Sequence, residues 1–128
     1  MRLLSAKRYG VKLKATIQAT GKLGFPKSTS DILRFEERQY VQFFLDENGI
    51  DLYLVVLEQF NEDAFKVTSS SGYYSINTAA IFNELNFDYK DKKKTFIFDL
   101  IRKANLDSEC SGEVYKMSLR DEKENNEQ

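Results

Sequence analysis

The chain has 128 residues, of which 41% are hydrophobic and 30% are charged, and its formal net charge is −1 at pH 7. This length fits one compact domain, and this composition is that of a globular protein rather than a disordered one. A net charge so close to zero argues against a protein that is basic over its whole surface, as many nucleic-acid binders are. No apolar run reaches the roughly 18 residues of a membrane-spanning helix, so none is predicted.

Residues 1–10 are predicted to be a leader that precedes the folded part. They carry Arg2, Lys7 and Arg8 but no apolar stretch long enough for a secretory signal. We therefore expect the protein in the cytoplasm. The single cysteine, Cys110, excludes an intramolecular disulfide and fits the same compartment.

The first half of the chain reads as four strands and one short helix. In order, we predict a strand over residues 11–20, a short strand over 22–25, a helix from cap residues 28–31 to about Phe35, and strands over 39–45 and 50–57. Apolar and polar side chains alternate along the first strand, which gives it a basic outer face. Gly21 and Pro26 end the first two strands, and Asn48-Gly49 is a hairpin signal.

The second half repeats this order after a polar break. We predict a strand over residues 64–67, a turn over 69–72, a strand over 73–76, a helix from cap residues 77–78 to Leu85, and strands over 94–101 and 113–117. Residues 120–128 form a polar, mainly acidic segment, which we expect to be a disordered tail.

The two halves align with each other, and each reads β-β-α-β-β. Three segments carry the alignment: residues 21–26 on 72–77, 33–35 on 85–87, and 51–53 on 113–115. One unit of about fifty residues buries too little apolar surface to fold well alone, whereas two can close a shared barrel. We therefore predict one mainly β domain over residues 11–119, made of repeats 11–58 and 64–119, in a closed or partly closed barrel. The alternative is chance similarity between two β-rich stretches.

The run from residue 15 to residue 27, with the helix and strand pair after it, resembles the swapped-hairpin AbrB/MazE/SpoVT-like family. Members typically show a strand, a glycine turn, a short strand that ends in an apolar-Pro-Lys motif, and a short helix that ends in leucine. Gly21, residues 25–27 and Leu33 match that layout. The resemblance covers residues 11–57 and, through the internal repeat, residues 64–117.

This resemblance implies a cytoplasmic DNA-binding transcription regulator, or the antidote half of a toxin–antitoxin pair. In the family, two units interleave into one barrel, so a chain with both units would form an intramolecular pseudo-dimer of swapped-hairpin units. The second copy departs from the pattern because Asn77 stands where the motif has proline.

The resemblance also implies that basic residues near the first hairpin contact DNA. The candidate nucleic-acid-binding residues are Lys12, Lys14, Lys22 and Lys27 around that hairpin, and Lys92, Lys93 and Lys94 in a second basic segment. Each ammonium group on one surface can neutralise a phosphate, and the scarcity of arginine favours backbone contact over base reading. The alternative is that these lysines keep an exposed strand face soluble.

Enzymatic chemistry has little support in the sequence, and we predict neither a catalytic residue, a metal site nor a cofactor. The chain has no histidine and only one cysteine, and it shows neither a P-loop nor a dinucleotide-binding glycine motif. In the doublet Tyr73-Tyr74, strand alternation directs one ring inward and the other outward. The outward ring either stacks on a base, anchors a protein partner or simply packs on the sheet.

Two functions therefore remain open. The first is an AbrB-like DNA-binding regulator with duplex DNA as its partner. The second is a protein-interaction module without DNA binding, such as an antitoxin, an adaptor or a phage-type accessory protein. No membrane partner is expected, and the sequence is compatible with a monomer or a homodimer.

Overall fold

The structure is a computed structural model that describes residues 1–4, 12–91 and 95–120. The strands are β1 (Lys14–Ile17), β2 (Lys22–Phe25), β3 (Tyr40–Leu45), β4 (Leu52–Leu57), β5 (Phe65–Lys66), β6 (Thr68–Ser70), β7 (Tyr73–Asn77), β8 (Phe96–Arg102) and β9 (Glu113–Leu119). The helices are α1 (Lys27–Leu33), α2 (Ala79–Glu84) and α3 (Asp107–Cys110), with a 3₁₀ turn over Ala104–Leu106. The prediction of a mainly β chain with short helices is confirmed. Within the described ranges, no helix is long and apolar enough to span a membrane.

All nine strands form one antiparallel sheet, in the order β5-β3-β4-β9-β8-β1-β2-β7-β6. The two outermost strands, β5 and β6, are consecutive in the chain and are separated only by Val67. β5 pairs with β3 at one edge of the sheet, while β6 pairs with β7 at the other. The Val67 N–H donates to the Gln39 carbonyl oxygen at 2.8 Å. This single segment therefore nearly closes the sheet into a barrel, as the sequence predicts.

The core lies inside the barrel and follows the alternation of the strands. Its members are apolar side chains from both halves, among them Ile17, Leu23, Phe25, Val41, Leu54, Val67, Ile76, Phe82, Phe98, Tyr115 and Met117. Aromatic rings link α2 and the segment after α1 to the sheet: Phe25 meets Phe35 edge-on at 4.9 Å, and Phe82 stacks on Phe98 at 5.8 Å. Packing of this kind stabilises the fold beyond simple burial.

A second apolar cluster covers the outer side of β4 and β9. Val55, Leu57 and Val114 are buried there beneath loop residues that include Ala64, Leu106 and Cys110. The connection from β8 to β9, predicted as a plain loop, supplies part of this cover through its 3₁₀ turn and α3. The cluster also shows that the predicted alignment of residues 51–53 with residues 113–115 is displaced by one residue. Leu52 points into the main core and Val114 out of it, and a one-residue slip exchanges the faces of a strand.

Two predicted strand boundaries change because of tight turns. The strand predicted over 11–20 is observed only as Lys14–Ile17, and Val11 lies outside the described residues. The Gly21 N–H donates to the Gln18 carbonyl at 2.9 Å, so residues 18–21 already turn. The turn predicted over 69–72 is shorter in the structure, because Ser69 and Ser70 pair with β7. Only Ser71 and Gly72 turn, with φ of 54° and 79°, as a two-residue hairpin requires.

Helix α1 begins earlier than predicted. It starts at Lys27, directly after Pro26, so the predicted cap residues 28–31 lie inside the helix. The Pro26 carbonyl accepts the Ser30 N–H at 2.9 Å, and no side chain caps this end. Thr29 serves another purpose: its Oγ1 accepts the Lys14 N–H at 3.1 Å and joins the helix to β1.

The two longer helices end alike. After α1, Arg34 has a φ of 57°, and the Phe35 N–H donates to the Ser30 carbonyl at 3.2 Å. After α2, Asn86 has a φ of 64°, and the Phe87 N–H donates to the Phe82 carbonyl at 3.0 Å. This bond across a left-handed residue is the Schellman ending of a helix. The segments 33–35 and 85–87, which the sequence aligns, therefore have the same backbone conformation.

The hairpin glycines provide a test of the fold. Gly21 has a φ of 88°, and a Cβ placed on it would lie 2.6 Å from the Ala79 Cβ and 2.9 Å from the Ala79 Cα. Gly72 has a φ of 79° but no atom within 4 Å of such a Cβ. We expect Gly72→Ala to lower the free energy of unfolding by about 1 kcal/mol, from the positive φ alone. Gly21→Ala adds a backbone clash, so its loss should reach about 3 kcal/mol.

Urea unfolding followed by circular dichroism measures both variants. Equal losses would show that the first hairpin is not packed against α2.

Candidate functional site

One side of the barrel carries only polar side chains, one tyrosine and one glycine. It is the outer surface of β1, β2, β7 and β6, which we call the polar face. By alternation with the core residues, its members are Lys14, Thr16, Lys22, Gly24, Thr68, Ser70, Tyr73, Ser75 and Asn77. These four strands contain no aspartate or glutamate. The opposite side, at β4 and β9, is covered by the second apolar cluster.

The structure brings two of the predicted lysines onto the polar face. Lys14 starts β1 and Lys22 starts β2, and within the described part of the chain neither makes an ion pair. Thr16 pairs with Gly24 in the hairpin, so the two lysines lie at opposite ends of it. Along the strands this separation is on the order of 13 Å.

The other predicted lysines are placed differently. Lys12 precedes β1 and lies 3.8 Å from Asp99, which Arg120 also contacts at 2.8 Å. Lys27 belongs to α1 and lies 3.6 Å from Asp31, one helical turn away. Their charge is therefore partly neutralised locally. Lys92, Lys93 and Lys94 lie outside the described residues.

The tyrosine doublet divides as alternation predicts. Tyr74 packs against the core with its ring 5.9 Å from that of Phe35, whereas Tyr73 is 46% exposed on the polar face. A Cβ on Gly24 would lie 2.5 Å from the Tyr73 hydroxyl oxygen and 2.6 Å from the Gln18 Nε2. The phenol of Tyr73 therefore reaches across the neighbouring strand and occupies the space that Gly24 leaves open.

A separate polar pocket of about 590 Å³ lies between the end of β4 and the start of β9. Its centre is an ion pair: the buried Arg38 guanidinium donates to the Glu113 carboxylate at 3.1 and 3.2 Å and to the Leu33 carbonyl at 2.7 and 3.0 Å. The Tyr115 hydroxyl also donates to Glu113. Burial raises the pKa of Glu113, but the bonds from Arg38 and Tyr115 outweigh it and hold that pKa below its usual range.

The ion pair in this pocket fits a role in holding the fold together better than a role in catalysis. A carboxylate with a lowered pKa is a weak base at neutral pH, where a general base needs a pKa near 7. Arg38 instead ties the segment after α1 to β9 and satisfies a helix-end carbonyl. Burial raises the pKa of the Cys110 thiol, which lowers its thiolate fraction and disfavours a nucleophilic role. In the part of the chain that is described, no group of three or more acidic or cysteine side chains could hold a metal ion.

The Arg38–Glu113 pair was not predicted from the sequence. Its partners are 75 residues apart in the chain, and neither belongs to a recognisable motif. The doublet Tyr73-Tyr74 marked Tyr73 as a candidate in the sequence. Nothing in the sequence marked Gly24, because the space above it matters only when the Tyr73 side chain, from another strand, lies there.

No family model, curated protein or solved structure matches this chain. The resemblance to the swapped-hairpin family therefore remains a prediction from the residues that carry it.

The Glu113 carboxylate makes stability depend on pH. Because its pKa is lower in the folded than in the unfolded chain, it stabilises the fold above the unfolded value of about 4.3 and loses that effect as pH falls through the folded value. Glu113→Gln should lower the free energy of unfolding at pH 7 by about 3 kcal/mol, because Arg38 stays buried without its partner. The variant and the parent should converge as pH falls through the folded pKa of Glu113, which lies below its unfolded value.

Denaturant unfolding across the pH range measures this difference. Glu109→Gln, at an exposed position on the same side, is the control and should follow the parent. A constant difference between Glu113→Gln and the parent at all pH values would contradict the assigned ionisation.

Proposed function

We propose that this chain is an AbrB-like DNA-binding transcription regulator that contacts mainly the phosphate backbone through its polar face. The proposal is based on a surface of four strands that contain no acidic residue, on which Lys14 and Lys22 make no ion pair with the described residues.

The chemistry of this surface suits a polyanion. Lysines neutralise phosphates, and serine, threonine, asparagine and tyrosine side chains donate hydrogen bonds to phosphate oxygens. The polar face has both kinds of group, and no carboxylate on its four strands repels the ligand. It has no arginine, the side chain that most often reads guanine in the major groove. Backbone contact should therefore exceed base reading.

The strand pairing supports the swapped-hairpin architecture that the resemblance implies. In this architecture, the β5–β6 segment of the second half corresponds to β1 of the first half. In the same way, β7 corresponds to β2, β8 to β3 and β9 to β4. Exchanging the halves then returns the same pairs: β1–β2 becomes β6–β7, β1–β8 becomes β5–β3, and β3–β4 becomes β8–β9. The pairs β2–β7 and β4–β9 map onto themselves. We therefore propose an intramolecular pseudo-dimer in which each half lends its first hairpin to the other.

The register supports the same architecture. Gly24 pairs directly with Ser75, its equivalent in the aligned segments 21–26 and 72–77, as a two-fold axis between β2 and β7 requires. The hairpin glycines Gly21 and Gly72 both have positive φ, and both longer helices share the Schellman ending. Equal backbone conformations at aligned positions favour duplication over chance similarity.

Binding to random-sequence duplex DNA, measured by fluorescence anisotropy across a salt series, tests the function. Two phosphate contacts predict a slope of log K against log salt of about −1.8. The double variant Lys14→Gln/Lys22→Gln should reduce that slope to near zero and abolish measurable binding. Lys103→Gln, a lysine between β8 and β9, removes a charge away from the polar face and should leave binding unchanged. Absence of binding to both duplex and single-stranded DNA at low salt would refute the proposal.

A protein-interaction module is the second candidate, and one surface favours it. At the end of the β3–β4 hairpin, Leu45, Ile50 and Leu119 are 47%, 79% and 46% exposed. They line a pocket of about 330 Å³ whose walls also include Phe87 and Met117. Exposed apolar groups around a pocket are typical of a contact with another protein.

Affinity capture with the tagged chain tests this second candidate. Ile50→Glu places a charge in the patch, and Ile50 is exposed enough that folding should be unaffected. A protein retained by the parent and by Lys22→Gln but lost with Ile50→Glu would support a partner at this end. Identical capture by all three would count against it.

A further inference from the structure

Tyr73 differs from the other residues of the polar face because it is aromatic and exposed. Its exposed fraction is 46%, and it belongs to neither apolar cluster. Across the described residues, no aromatic ring packs against it. A ring that contributes so little to the core has surface left for a ligand.

The sheet holds this ring in place. Its hydroxyl oxygen and Cε1 lie 2.5 and 3.2 Å from the position that a Cβ of Gly24 would take. Any larger residue at position 24 would push the phenol away, so the ring depends on this glycine for its position. The Gln18 amide, 2.6 Å from the same point, lies beside it. A ring already positioned loses little conformational freedom when a ligand binds.

The surroundings of the ring match the parts of a nucleotide. Ser75 and Thr16 are the two neighbours of Gly24 across the strands, and Lys22 precedes it by two positions on the same face. Asn77 pairs with Lys22 on β7. Hydroxyl and amide groups can bond to base edges, while the ammonium group of Lys22 can neutralise the adjoining phosphate.

The shape of the face favours an unpaired strand over a duplex. In duplex DNA the faces of the bases are stacked on each other, and a protein reads only their edges, through an element that enters a groove. The polar face is four strands wide, whereas the major groove admits a helix or a ribbon of only two strands. An aromatic ring on such a surface can stack only on a base that has left the duplex.

We propose that the polar face binds an unpaired DNA strand, with one base stacked on Tyr73 and a neighbouring phosphate held by Lys22. This inference rests on the proposed DNA binding of the same face and names the form of DNA that it takes.

The test compares a fluorescent oligo-dT of about 12 nucleotides with a duplex of equal length, by anisotropy at low salt. The parent should bind the single strand more tightly than the duplex. Tyr73→Ala should weaken binding to the single strand about tenfold, while Tyr73→Phe, which keeps the ring, should stay within about twofold. Gly24→Ala should weaken it as well, because the new Cβ displaces the ends of two flexible side chains without touching the core.

Phe60→Ala is the matched control, because Phe60 is 67% exposed and lies outside the polar face. It should bind like the parent. Equal affinity for both DNA forms, unchanged by Tyr73→Ala but lost in Lys14→Gln/Lys22→Gln, would overturn this inference and leave the proposed function standing. Binding to neither form would overturn both.

Discussion

The structure depends on the pairing of the first hairpin with strands of the other half. β1 pairs with β8 from Lys14 to Ile17, and β2 pairs with β7 from Lys22 to Phe25. Without these contacts, β1, β2, β7 and β8 would each have an unpaired edge, and unpaired edges promote aggregation. The β5–β6 segment makes the complementary closure by dividing its bonds between β3 and β7. The polar face exists only because of this arrangement, since two of its strands come from each half. The candidate site therefore depends on the closure of the barrel, because a change that separates β2 from β7 also separates Gly24 from Tyr73.

The sequence predicted the elements that depend on local rules. Alternation identified the strands, and glycine and proline identified the turns between them, because backbone preference and the side-chain period act over only a few residues. The sequence-based predictions were wrong where contacts between residues far apart in the chain determine the structure. Thr29 looks like a helix cap but bonds to Lys14 instead, and Ser69 looks like a turn residue but pairs with Tyr74. The slip in aligning Leu52 with Val114 has the same origin. Both faces of β4 are apolar, because the β8–β9 connection covers the outer one, so the pattern of that strand cannot tell the two faces apart.

The candidate site was predictable in part for similar reasons. Lys14 and Lys22 follow from strand alternation, which fixes the direction of a side chain without any knowledge of the fold. The neutralisation of Lys12 by Asp99 does not follow, because it needs the pairing of β1 with β8. Arg38 and Glu113 illustrate the opposite case. Charged residues in a sequence suggest exposure, yet this pair is held between the segment after α1 and β9, where one partner without the other would be strongly destabilising.

In the proposed architecture, two units in one chain would also free the site from exact two-fold symmetry. A dimer of identical chains must present each residue twice, and such a surface suits DNA with a matching two-fold repeat. In the proposed pseudo-dimer, Lys22 occupies the position that Tyr73 has in the second half, and Gly24 the position of Ser75. One half thus supplies a charge and an open space, and the other supplies a ring and a hydroxyl group. Such a face has a direction, as does a single nucleic-acid strand, whereas two-fold duplex sites do not. The proposed single-stranded ligand therefore fits a face whose equivalent positions carry different residues. A homodimer of one repeat could not have such a face, because its two copies carry the same residue at each position.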